Sequence, residues 1–260
     1  MQLHFHELGQ GLPIIILHGL FGSSDNWLTI SKALADQFKV YLVDQRNHGR
    51  SPWSETFALQ AMGEDLRAFI ETHRINQPHL IGHSMGGKTV MQFAVQHPEA
   101  FQKLVVVDIA PKYYRPHHQE ILTGLRALDL TSLQTRQQAD EQLSKYVPEL
   151  PVRQFLLKNL YRTEDQRFAW RLNLPVIDRD IENVGEALSY DRPVENPALF
   201  LRGGQSRYVK DEDLALIQQI FPRAILDTIP DAGHWIQSEK PAEFLEKVTT
   251  FLTKKESQLA

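Results

Sequence analysis

Gly82-His83-Ser84-Met85-Gly86 is a G-x-S-x-G pentapeptide set between the apolar run His79-Leu80-Ile81 and a helical stretch from Met85 to Gln96. A serine hydroxyl is a weak nucleophile at its own pKa, so chemistry requires it to be held clear of the backbone and beside a base. A sharp strand-to-helix turn does that, but it strains the serine backbone and leaves almost no room for side chains two positions before and after. Gly82 and Gly86 meet that demand. The pentapeptide alone is a weak signal; the strand before it and the helix after it make it a nucleophile elbow, with Ser84 at its tip.

The rest of the chain supplies the elements that must hold such a turn. Met1 to Leu8 alternates polar and apolar residues, which suits an edge strand with one wet face. Pro13-Ile14-Ile15-Ile16-Leu17 is continuously apolar, as expected of a strand covered on both faces, and runs into His18-Gly19-Leu20-Phe21-Gly22-Ser23. Asp25 is placed to cap a helix reaching about Ala35, and Lys39 to Asp44 is the next buried strand. Leu59, Met62, Leu66, Phe69 and Ile70 recur at helical spacing, and Lys103 to Asp108 reads as another central strand. This alternation of strand and helix over short connections predicts an α/β chain with a mostly parallel sheet flanked by helices. From Tyr113 to about Arg192 it breaks: helical periodicity continues (Ile121, Leu125, Leu128; Phe155, Leu156, Leu160) without a strand-like run. The pattern returns with a strand ending at Gly203, a helix from about Asp211 to Ile220, a strand over Ala224–Ile229 and a last helix from Pro241 to Leu252. The expected division is a core of residues 1–112 and 193–260 with a helical cap, 113–192, inserted in it. The polar tail from Lys254 to Ala260 is expected to fray.

Composition removes several function classes. A chain of 260 residues with 42% hydrophobic content can bury one large core. Its net charge of -4, with Lys and Arg scattered, offers no basic field for nucleic acid. Cys is absent from the sequence, so disulfides, thiolate metal sites and a Cys nucleophile are excluded, which is compatible with a reducing cytoplasm. No apolar run has the length that spans a bilayer, and the N-terminal residues do not read as a secretory signal. A soluble, cytoplasmic protein without stable membrane insertion is expected.

With these strings in order, the chain resembles an α/β-hydrolase throughout its length. His18-Gly19-Leu20 resembles the family's oxyanion loop, the pentapeptide around Ser84 its elbow, and Gly233-His234-Trp235 its histidine loop. Asp44-Gln45-Arg46-Asn47-His48-Gly49, His83-Ser84-Met85-Gly86-Gly87-Lys88 and Val107-Asp108-Ile109-Ala110-Pro111 are similar to a narrower group, the YbfF-like bacterial esterases and their eukaryotic relatives. The resemblance implies an α/β-hydrolase fold and hydrolysis of small-molecule carboxylic esters, or thioesters, through an acyl-enzyme on Ser84, with no cofactor. His234 would serve as general base and then general acid, a role for a side chain that titrates near neutrality. Backbone N–H groups of Met85 and Leu20, with Phe21 as the neighbouring alternative, would face the negative oxygen of the tetrahedral intermediate.

The third member of the triad departs from the family's common pattern. Most α/β-hydrolases carry an aspartate after the strand matching Ala198-Leu199-Phe200-Leu201, and Ser206 holds that place in Gly203-Gly204-Gln205-Ser206-Arg207-Tyr208-Val209. A serine cannot hold a negative charge against an imidazolium. Asp108, at the end of the strand after the elbow, is the alternative position, and it is preferred here to Asp211 or Asp213. Chain order does not decide, because each choice preserves Ser, Asp, His.

Other polar residues receive quieter roles. Asp44, Asn47, His48 and Ser51 are read as hydrogen-bonding their own loop. His18 and His83 flank the site as packing and hydrogen-bonding groups, with His83 also bordering the substrate pocket. His4 with His6, and His117 with His118, have no further ligand at metal spacing, so no metal site is expected. Phe21, Met85 and Trp235 are candidates for the walls of an apolar acyl cleft beneath the cap. Rival readings on the same triad are a serine C–C hydrolase, a cofactor-free peroxidase, or a ligand receptor with slow turnover.

Overall fold

The computed structural model describes residues 1–255, so part of the C-terminal tail expected to fray, residues 256–260, lies outside the described residues. The strands that form the sheet are β1 (Phe5–Leu8), β2 (Leu12–Leu17), β3 (Phe38–Val43), β4 (His79–His83) and β5 (Leu104–Val107). Helices α1 (Leu28–Leu34), α2 (Leu59–Thr72) and α3 (Met85–Gln96) alternate with them. The connection that follows β5 holds α4 (Gln119–Ala127), α5 (Arg136–Leu143), α6 (Leu150–Leu157), β6 (Leu160–Arg162), β7 (Phe168–Trp170) and α7 (Leu174–Asp180). The chain then completes the sheet with β8 (Ala198–Gly203), α8 (Asp213–Ile220) and β9 (Ala224–Ile229), and closes with α9 (Ile236–Glu239) and α10 (Pro241–Thr253).

Seven strands form one sheet in the order β1-β3-β2-β4-β5-β8-β9. Only the edge strand β1 is antiparallel to its neighbour, with Phe5 opposite Val43. The sheet is buried on both faces because alternate residues of each apolar strand point to opposite sides. Ile15, Leu17, Leu80, Leu104, Val106 and Phe200 join residues of α2, α3 and α8 on one face. Ile14, Ile16, Val40, Leu42, Val105 and Leu201 pack with residues of α1 and α10 on the other. The α/β class and the mostly parallel sheet expected from alternation are therefore the observed ones.

Two local expectations need correction. Asp25 does not cap α1: the chain first makes a 3-10 turn over Ser24–Trp27, and Ser23 N–H donates to Asn26 Oδ1 at 2.8 Å. Asp25 is exposed and pairs instead with Arg50 at 3.3 Å. The connection between β5 and β8 also contains strands, since β6 and β7 pair antiparallel with Leu160 opposite Trp170. Three-residue strands are too short for alternation to stand out from helical periodicity.

That connection packs through its own apolar cluster. Leu122, Leu125, Leu143, Leu156, Leu160 and Ile177 meet Phe21, Phe57 and Met85, so the helices sit over the elbow and the loop after β2. Polar contacts reinforce the seating. Asn173 Nδ2 donates to Asn47 Oδ1 at 3.1 Å, and Asn159 Nδ2 donates to Phe21 O at 2.7 Å.

Candidate active site

Ser84 stands between β4 and α3 with φ 52° and ψ -117°. A non-glycine residue held there costs on the order of 1–3 kcal/mol, which the packed surroundings of the turn must offset. Both flanking glycines are required by contact. A Cβ on Gly82 would lie 2.2 Å from Gly86 O, and one on Gly86 would lie 2.4 Å from Leu17 O. Backbone atoms cannot yield as a side chain can, so the turn closes only without these methyl groups. Ser84 N–H donates to Val107 O at 3.0 Å, which registers the elbow on β5.

Asp108 follows β5 directly, also with positive φ (51°), and is fully buried. Its N–H donates to Leu201 O at 2.9 Å, and its Oδ1 accepts from Gly203 N–H at 3.1 Å. Its Oδ2 accepts from His234 Nδ1 at 2.7 Å and from the hydroxyl of Ser206. The proton on Nδ1 leaves the His234 Nε2 lone pair free to act as a base. Asp211 pairs with Arg202 on the surface, and Asp213 pairs with Lys112 at 2.6 Å, so neither reaches this imidazole.

His234 is held on several sides. His83 Nε2–H donates to its carbonyl at 2.8 Å, and the Tyr208 ring stacks on it at 4.0 Å between centroids. The Glu239 carboxylate braces the same loop, accepting from Gly233 N–H at 2.6 Å and from Trp235 N–H at 3.1 Å. Burial and the neighbouring His234 hold the His83 pKa well below the ordinary histidine value, so His83 stays neutral. Burial raises the Tyr208 phenol to about 12, keeping its O–H intact to donate to His117 Nε2 at 2.8 Å.

The loop after β2 approaches Ser84 from the opposite side. A Cβ on Gly19 would lie 2.9 Å from His83 Nδ1 and 3.2 Å from the Ser84 Cβ, so glycine allows the approach. His18 is buried and neutral, its pKa lowered by desolvation; Nδ1–H donates to Gly19 O at 2.8 Å while Nε2 accepts from Gln45 N–H at 3.0 Å. His48 does the same for the next turn. Its Nδ1–H donates to Arg46 O at 2.9 Å, leaving Nε2 to accept from Phe21 N–H at 3.2 Å. The Phe21 N–H is thus engaged away from Ser84. Among the described residues, neither Leu20 N–H nor Met85 N–H has an acceptor. Met85 opens α3, where such orphan donors and the helix dipole favour negative charge.

Asp44 holds the loop after β3, accepting from Ser24 N–H at 2.6 Å and Arg50 N–H at 2.8 Å, while the Ser51 hydroxyl donates to its carbonyl. Among the described residues, no cluster of three or more His, Asp or Glu is placed to hold a metal. A groove of about 830 Å³ opens over Ser84 and His234, bordered by Phe21, His83, Phe155 and Trp235. Met85 borders instead a smaller cavity that adjoins the groove at Ser84.

Ser206, Tyr208 and Glu239 were not foreseen as parts of the site. Ser206 carried a usable signal, because it occupies the place of the usual acid. Tyr208 and Glu239 carried none, since stacking and loop bracing depend on where β8, β9 and α9 end in space.

The model of the α/β hydrolase fold family matches residues 13–241. The sn-1-specific diacylglycerol lipase ABHD11 of Mus musculus is 40% identical over 247 residues, covering 92% of this chain and 80% of that protein. Esterase YbfF of Escherichia coli strain K12 is 37% identical, covering 92% of each chain. A solved marine microorganism esterase is 44% identical and superposes with a TM-score of 0.94, covering 96% of this chain and 99% of its own. The chain belongs to the α/β-hydrolase fold family, among its esterases and lipases, and is a carboxylic ester hydrolase.

Proposed function

We propose that this chain hydrolyses small carboxylic esters, and thioesters by the same route, through an acyl-enzyme on Ser84, with His234 and Asp108 completing the triad. The observation that carries the reading is the 2.7 Å hydrogen bond from His234 Nδ1 to Asp108 Oδ2, in a groove that also contains Ser84. Ser84 Oγ attacks the acyl carbonyl while His234 Nε2 takes its proton. The resulting imidazolium is stabilised by the buried Asp108 carboxylate, and returns the proton to the departing alcohol or thiol. Water then repeats the sequence on the acyl-enzyme, with His234 as base again.

Leu20 N–H and Met85 N–H receive the oxyanion, each donor contributing about 3 kcal/mol to the barrier reduction. The engagement of Phe21 N–H by His48 supports Leu20 over Phe21. Residues 113–192 act as a cap that covers the groove and excludes water from part of it. A fluorophosphonate probe tests the reading directly. Intact-protein and peptide mass spectra are expected to show one adduct, on Ser84, with loss of esterase activity in parallel; an adduct elsewhere, or none, sinks the mechanism.

A further inference from the structure

Ser84 borders two spaces of very different size. The groove of about 830 Å³ is bordered by His234 and Trp235 from the histidine loop and by Val152 and Phe155 from α6. Adjoining it, and sharing Leu20, Ser84, His117, His118 and Tyr208 with it, is a cavity of about 50 Å³ also bordered by Met85, Ile109, Tyr114, Ile181 and Val184. Among the described residues His234 borders the groove and not this cavity.

Proton delivery decides which part of an ester enters each space. The leaving oxygen or sulfur must accept a proton from His234 Nε2, so the alcohol or thiol portion extends to the His234 side. The acyl chain then points the other way. We infer that the small cavity is the acyl pocket, and that this enzyme takes short acyl groups carried on bulky alcohols or thiols. The inference rests on the Ser84–His234 mechanism proposed above. At roughly 10–15 Å³ per water-sized group, the cavity holds about three to five such groups, which corresponds to acyl chains of up to about five carbons. The groove, by contrast, lies in the volume range of sites that enclose drug-sized molecules.

The limit is built into the structure, because the chain segments that line the cavity are tied together at several points. Lys88, one turn after Ser84 on α3 and 1% exposed, donates from Nζ to Lys112 O at 2.5 Å and to Glu186 O at 2.7 Å. Lys112 lies where the chain leaves the sheet for the cap, and Glu186 where it returns. Tyr114 N–H donates to Gly185 O and Leu188 N–H to Pro111 O, each at 2.8 Å, stitching the outgoing and returning strands of chain together. A longer chain cannot push these segments apart without breaking several of these hydrogen bonds. Ile181 and Val184, side chains from the returning segment, are the specificity-determining residues, since their volume can change while the backbone ties persist.

Two ester series test the assignment. With p-nitrophenol as constant leaving group, kcat/KM is expected to fall at least tenfold from butyrate to octanoate. With acetate as constant acyl group, ethyl, hexyl and decyl esters are expected to hold or gain kcat/KM. Ile181→Ala and Val184→Ala are expected to raise the octanoate-to-butyrate ratio at least fivefold, while Phe155→Ala, in the groove, changes the alcohol series instead. Ile181→Val provides a milder enlargement should an alanine variant fold poorly. Octanoate turned over as fast as butyrate by the wild type, or a chain-length profile that responds to Phe155→Ala and not to Ile181 or Val184, overturns the assignment while leaving the acyl-enzyme intact. Absence of hydrolysis in both series together with an unlabelled Ser84 overturns the mechanism, and the inference with it.

Discussion

Ser206 donates its hydroxyl proton to Asp108 Oδ2, the same oxygen that His234 Nδ1 reaches at 2.7 Å. The residue standing in the usual acid's place therefore hydrogen-bonds the proposed acid, which the neighbouring strand delivers. The sheet makes this possible. β5 and β8 are adjacent and parallel, with Val107 opposite Leu201, so the residue after β5 and the turn after β8 emerge at one end of the sheet. Gly203 N–H and Ser206 Oγ then converge on one buried carboxylate.

Asp108→Asn is expected to lower kcat by about 10⁴-fold, because an amide no longer favours the Nδ1-protonated imidazole or stabilises its cation. Ser206→Ala removes one of the hydrogen bonds to a charged group and is expected to lower kcat roughly 10- to 100-fold, from about 1.5–3 kcal/mol. Asp211→Asn is expected to stay within twofold of wild type, since that carboxylate lies on the surface with Arg202. Steady-state kinetics on p-nitrophenyl butyrate reads all three, and a larger loss for Asp211→Asn than for Asp108→Asn would reassign the acid.

Gly86→Ala tests the geometry of the elbow. Its Cβ would sit 2.4 Å from Leu17 O and 2.6 Å from His18 O, so β2 or α3 must shift. A destabilisation of at least about 1–3 kcal/mol is expected, together with loss of fluorophosphonate labelling at Ser84. Urea denaturation and mass spectrometry measure the two effects. A variant with wild-type stability and labelling would show that the turn has slack the contacts do not suggest.

Acid sensitivity is expected from buried histidines. Burial lowers His48 to about 3, and burial with the nearby Lys103 ammonium lowers His79 to about 4, against about 6.5 in an unfolded chain. The folded state thus binds fewer protons than the unfolded one below pH 6.5. Stability is fully present above that pH and is lost as pH falls from 6.5 toward 4, by up to about 1.4 kcal/mol per pH unit for each group. Among the described residues, His79 has no hydrogen-bond partner on either ring nitrogen. His79→Leu is therefore expected to raise Tm at pH 5 and to flatten the pH slope by about one proton. Thermal unfolding from pH 5 to pH 8 checks both, and an unchanged slope would mean that water already satisfies and protonates this ring.

Much of the architecture was legible because its signals are local. Each apolar run that became a strand is short, continuous and bounded by turn residues, and Gly82 and Gly86 announce a turn that only small residues can make. Ser84 was readable for the same reason. Asp25 misled because it is a good capping type placed beside a 3-10 turn whose start depends on Ser23 and Asn26. The hairpin of β6 and β7 was invisible because three residues are too few for a period.

By itself the sequence determined an α/β chain with a serine at a strand-to-helix turn, since periodicity and glycine sterics act over a few residues. The tertiary structure decided which residues gather near that serine. Asp108 and His234 lie 126 positions apart and meet through a 2.7 Å hydrogen bond, while Phe21 N–H is taken by His48 and the adjacent Leu20 N–H has no acceptor among the described residues. The cause is strand order: β5, β8 and β9 lie side by side, and their C-terminal ends carry Asp108, Ser206 and His234 to one place. No local pattern encodes that adjacency. It arises only when the sheet buries both faces and sets the register between strands distant in the chain.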